Sequence, residues 1–120
     1  MSPKKQLRNW KLRIQDILES IENIEEYVKG QTLEFFSQDK KTFDAVIRNF
    51  EIIGEASHHV PDVIRKTYPE VPWQILKDFR NKVAHEYFGV DRGIVWRTIQ
   101  QRLLPLKPKL EAILQNGATL

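Results

Sequence analysis

Leu7, Trp10, Ile14, Ile17, Ile21, Ile24 and Val28 recur in steps of three and four, and no other feature of these 120 residues limits the fold as tightly. That spacing lines one face of an α-helix with apolar side chains. Asp16, Glu19, Glu22, Glu25 and Glu26 fall on the opposite face, and Gly30 offers a C-terminal stop. The same period predicts a second helix from about Ser37 to His59, with Phe43, Val46, Ile47, Phe50, Ile53 and Gly54 inward and Pro61 closing it. Between Pro61 and Pro72 the chain is loop-rich, with one short helix at Asp62–Lys66. A further helix is expected from Pro72, suited to a first helical position, to about Tyr87, where Gly89 breaks it. Asp91 suits the N-cap of the last helix, carried by Val95, Ile99, Leu103, Leu106, Leu110 and Ile113. Pro105 and Pro108 should bend or divide that helix. Nothing alternates with the period of a strand. The expectation is an all-α, up-and-down bundle of four main helices plus a short one, a single domain over residues 1–120 with 115–120 a frayed tail.

With no cysteine, the chain has no disulfide framework, no thiolate nucleophile and no Cys-type zinc site. No apolar run reaches membrane-span length, and the basic N-terminus leads into an amphipathic helix, so a cytoplasmic location away from membranes is expected. Net charge is +3, unevenly placed. Residues 1–60 hold nine Lys and Arg against ten Asp and Glu, a net −1; residues 61–120 hold ten against six, a net +4. The second half is therefore the one able to attract a polyanion. Stripes this wide, with Tyr27 and Trp96 as further large groups, raise the expectation of a homodimer through helix packing; completion of the monomer core is the alternative.

The run Arg80-Asn81-Lys82-Val83-Ala84-His85-Glu86-Tyr87 carries the chemistry. At about 100° per residue, Asn81 and His85 share a helix face and Arg80 lies on its flank. A permanent cation and an imidazole could converge there on one phosphate. Cleaving a phosphodiester needs a group that moves a proton near neutral pH and a cation that holds the charge building on phosphorus. Asn81 could orient a phosphate oxygen or the imidazole, and Tyr87 could donate a hydrogen bond or await modification.

Other candidates are weaker. Glu55-x-x-His58 has the spacing of di-iron helix bundles, but such sites need two copies plus two further glutamates, so no metal or cofactor is expected. His59, on another face from His58, reads as part of a polar helix end. Arg48 and Glu51 could form a surface pair, or Arg48, Glu51 and Glu55 could line a polar seam near the motif helix. Lys77, Lys82 and Arg92, with Arg97 and Arg102, are candidates for contacts to backbone phosphates, each alone more ordinarily a solvated residue.

Taken in order, the stretches Ala45-Val46-Ile47-Arg48, Ile52-Ile53-Gly54-Glu55-Ala56, Val71-Pro72-Trp73, Phe79 through Phe88, Val90-Asp91 and Leu103-Leu104-Pro105-Leu106 resemble the HEPN superfamily, specifically HepT-like toxins of prokaryotic toxin–antitoxin modules. The resemblance spans most of the chain. It implies a metal-independent ribonuclease acting as a homodimer, with motif helices from both subunits lining one cleft. Arg80 and His85 match the family's catalytic pair, and Asn81 matches the polar residue after the arginine. Tyr87 matches the tyrosine that a minimal nucleotidyltransferase antitoxin adenylylates.

The function expected from this resemblance is that of an endoribonuclease toxin in a type VII-like module. Its substrate would be RNA, with transfer and messenger RNA among the candidates. Glu86 is compatible with phosphate binding only if the helical step turns its carboxylate away. The alternative is a non-catalytic helical module that docks a nucleotidyltransferase or binds a nucleotide with Arg80 and His85.

Overall fold

The apolar stripe of the first helix ends up inside the chain's own core. In the computed structural model, which describes residues 3–85 and 91–116 (side chains of 9–80 and 91–116), α1 spans Pro3–Val28. Trp10, Ile14, Ile17, Ile21, Ile24 and Val28 are each at most 5% exposed. The near-heptad spacing is thus satisfied within one chain, and this stripe needs no second copy to cover it. Trp96 is half-buried with its ring 5.3 Å from that of Phe36, whereas Tyr27 stays at the surface.

Gly30 follows α1 with φ +77°, the left-handed conformation that glycine adopts without a Cβ penalty. One departure from the expected bundle comes next. The helix expected from about Ser37 to His59 is α3 over Lys40–His58, and a short helix, α2 over Leu33–Gln38, occupies the stretch expected as a turn, with Asp39 between them. Thr32 caps α2 by accepting from the Phe35 amide at 3.2 Å, and Asp39 caps α3 by accepting from the Thr42 amide at 3.2 Å. Asp39 also accepts from the Thr42 hydroxyl at 2.6 Å and from Gln31 at 3.2 Å. Each cap satisfies amides that lack an intrahelical partner, so two helix starts lie within one short stretch of chain.

The short helix α4 covers Asp62–Thr67, and α5 covers Trp73–His85 with Pro72 just ahead of it, its carbonyl accepting from the Leu76 amide. Asp91 caps α6 (Arg92–Thr98) through the Gly93 and Ile94 amides. The prolines divide the last helix as predicted. A π-helical turn at Ile99–Leu103 and a 3₁₀ turn at Leu104–Leu106 lead into α7 at Lys107–Asn116. Pro105 has no amide to continue an α-helical ladder, and the Leu104 amide bonds to Ile99 five residues back. Pro108 sits in the first turn of α7, where a missing amide costs nothing.

The fold is all-α, with no strand among the described residues. Helix α3 packs between α1 and α5, α7 returns along α1, and α2 bridges α3 and α6. One hydrophobic cluster joins them all. Phe50 of α3 and Phe79 of α5 stack at 4.8 Å, which fixes the seam where the motif helix lies. No described helix is long and apolar enough to cross a membrane.

Candidate functional site

Two backbones nearly touch where α3 crosses α5. A Cβ placed on Gly54 would come within 2.5 Å of the Arg80 amide nitrogen and 3.0 Å of its Cα and Cβ, closer than real carbon contacts. Only glycine fits there. The crossing brings Glu55, the next residue on α3, against the first residue of the Arg80–Tyr87 motif.

Glu55 holds two partners at once. Its Oε2 lies 3.0 Å from Arg80 Nε, and its Oε1 lies 3.0 Å from His59 Nε2. The carboxylate accepts at both oxygens, so it selects the His59 tautomer protonated on Nε2. The hydrogen bond from His59, followed by the charges of Arg80 and of the two imidazoles, holds the Glu55 carboxyl below its ordinary value against a desolvation that raises it. Arg80 is about half exposed. Its bond to Glu55 uses Nε, while a guanidinium carries four further N–H donors on its terminal nitrogens, in the planar geometry that grips two phosphate oxygens.

Along α5, His85 is five positions beyond Arg80, about 7.5 Å of helix rise, and Asn81 is one turn before His85. The helical register expected for Arg80, Asn81 and His85 is therefore present in the backbone. The side chains of Asn81, Lys82 and His85 are outside the described set, and Glu86 and Tyr87 lie outside the described residues altogether.

The family model described as "Ribonuclease HepT-like" matches residues 17–113, which include both sides of this crossing. The chain belongs to the HepT-like ribonuclease family. Among similar proteins, the "Probable ribonuclease HepT" of Thermococcus cleftensis is 43% identical over 106 residues, 88% of this chain and 96% of that protein. A "Putative RNase" of Methanocaldococcus jannaschii is 35% identical over 95% of this chain and 92% of its own length. Another, from Caldanaerobacter subterraneus, is 38% identical over 86% and 92%. No solved structure matches the chain significantly.

Within this HepT-like domain the remaining candidates separate. Arg48 forms the predicted surface pair with Glu51, at 3.4 Å and well exposed, so the seam beside α5 contains Glu55 without it. Lys77 is half-buried one turn before Arg80 and lines an open hollow of about 620 Å³ with Trp73 and Arg65. Arg92 is built into the scaffold: it donates to the Ser37 carbonyl at 2.9 Å and lies 4.3 Å from the centre of the Phe43 ring. Arg97 and Arg102 are exposed on the last segment. Glu55 and His58 acquire no third ligand; among the described residues no group of three or more His, Asp or Glu is arranged to hold a metal ion. His59, expected as part of a polar helix end, is the second partner of Glu55. Its i,i+4 spacing from Glu55 was the available signal.

Proposed function

We propose that this chain is an endoribonuclease that cuts RNA without a metal ion, using Arg80 and His85 in a cleft completed by a second copy of the chain. The observation that carries the reading is Arg80 held by Glu55 at a glycine crossing, one and a third helical turns before His85, in a chain of the HepT-like family. A guanidinium fixed on one edge presents its other donors without a large loss of side-chain freedom.

The RNA 2′-hydroxyl attacks the adjacent phosphorus as His85 takes its proton. The P–O5′ bond breaks, and the departing 5′-oxygen takes a proton from the imidazolium of the second copy's motif. The products are a 2′,3′-cyclic phosphate and a 5′-hydroxyl. Arg80 stabilises the negative charge of the phosphorane. Each proton transfer contributes roughly 10²–10⁴ in rate. In the cell the activity is that of a toxin, silenced when a nucleotidyltransferase antitoxin adenylylates Tyr87. That modification adds bulk and negative charge beside the cleft and repels the RNA backbone.

Incubating the purified protein with total RNA and EDTA tests this directly. Cleavage that persists in EDTA and disappears in His85→Ala is the expected result. Undiminished cleavage by His85→Ala overturns the catalytic assignment, and nucleotide binding without any cleavage favours the binding-module alternative.

A further inference from the structure

Next to His59, the second partner of Glu55, a polar hollow of about 350 Å³ opens at the end of α3. Asn9 and Arg13 of α1, His58 and His59, and Asp62 and Arg65 of α4 line it. Two guanidinia, two imidazoles and an amide thus face a space in which Asp62 supplies the one carboxylate among these lining residues. Asp62 is engaged by Arg65, yet Arg65 Nε remains buried without a hydrogen-bond partner. Donors outnumber acceptors among the side chains that line the hollow, a balance that an acceptor-rich ligand corrects. The missing component is an anion rich in acceptor oxygens, which a phosphate is.

The position of the hollow says which phosphate. His59 lines it with one edge and bonds Glu55 through Nε2, and the other oxygen of Glu55 holds Arg80. One carboxylate therefore separates the hollow from the guanidinium assigned to the scissile phosphate. A strand whose cut phosphate lies at Arg80 carries its neighbouring phosphates at the spacing of the backbone, and this hollow is a polar, cation-lined space joined to Arg80 through His59 and Glu55. We infer that Arg13, His58, His59 and Arg65 form a subsite for a backbone phosphate of the RNA strand flanking the cleaved bond. The inference rests on the ribonuclease reading above and extends it to how the substrate is held.

The probe is a labelled 2′-O-methyl octaribonucleotide, which cannot cyclise and so reports binding without cleavage. Arg13→Ala combined with His58→Ala should weaken its binding at least ten-fold and lower the slope of log K against log salt by about 0.7 for each lost phosphate contact. Arg13→Lys should retain binding within about three-fold, and the loss in kcat/KM for cleavable RNA should fall on KM. Either single variant serves if the double variant melts early. Wild-type affinity and an unchanged salt slope in the Arg13→Ala and His58→Ala proteins overturn the inference.

The oligomer should shift the imidazole resonances of His58 and His59. If inorganic phosphate shifts them at micromolar concentration and the oligomer does not, the hollow binds free phosphate and the RNA assignment is overturned. Failure of the two readings is separable. RNA cut by Arg13→Ala with unchanged KM removes the subsite and leaves the nuclease. Arg13-dependent binding by a wild-type protein that cuts nothing removes the nuclease and overturns the subsite as one flanking a cleaved bond, leaving an RNA-phosphate site alone.

Discussion

Arg80 and Arg92 are twelve residues apart, both on short helices of the basic half, and both could be read as phosphate ligands. The fold treats them oppositely. Arg92 lies across Phe43 and donates to the Ser37 carbonyl, tying α6 to α2 and α3. Its guanidinium replaces solvent with a ring face and a carbonyl, a contact that holds helices together. Among the described residues, Arg80 bonds the edge of the Glu55 carboxylate and stays about half exposed, while Gly54 admits its main chain against α3. Availability to a ligand depends on what the opposite helix presents to the guanidinium, a carboxylate edge in one place and a phenylalanine ring with a carbonyl in the other.

The sharpest way to break this contrast is to truncate both residues. Arg80→Ala should lower RNA cleavage by about 10²–10³, the usual cost of removing a donor to a transition-state oxyanion. Arg92→Ala should change cleavage less than about three-fold. Equal losses in kcat for the two variants would erase the distinction. Gly54→Ala comes next. Its methyl group meets main chain and has no flexible side chain to displace, so about 3 kcal/mol of destabilisation is expected, or a melting temperature lower by about 10 °C. A melting curve matching the wild type would show that the helices can separate at no cost. Arg92→Ala should also cost about 1–2 kcal/mol through the lost ring contact and hydrogen bond, again read by thermal melting.

The smallest effect concerns Glu55. Its folded pKa is depressed below the ordinary 4.5, so its contribution to stability is complete above that value and is lost as pH falls through the lower folded one. Glu55→Gln should therefore melt slightly below the wild type at neutral pH, with the gap closing below about pH 4.5. A gap that widens in acid would reverse the assigned sign.

Much of this was legible in the chain itself, for identifiable reasons. Burial of Ile14, Ile17, Ile21 and Ile24 follows from spacing alone, because apolar residues at that period share a face whatever the partner. Pro105 and Pro108 announced the divided last helix because a missing amide acts locally. Asp39 was harder to read: the apolar spacing puts a helix start near Ser37, and only the caps by Thr32 and Asp39, each three residues before its amide, reveal two starts. In the site, the register of Arg80, Asn81 and His85 follows from their positions on α5. The role of Gly54 does not, since an inward glycine in a sequence carries no hint of which backbone it admits. Glu55 was placed on the correct helix, but its sharing between Arg80 and His59 depends on how α3 and α5 cross.

That crossing has a dynamic consequence. A contact between two main chains has no rotamers to exchange, so it behaves as a stop with a single position. The Cα of Arg80 is indexed to α3 as one rigid body, and its amide should be among the slowest of α5 to exchange with deuterium. Rearrangement of side chains elsewhere in the core then leaves the root of the arginine where it was. Only the outer guanidinium keeps the freedom to adapt to a ligand.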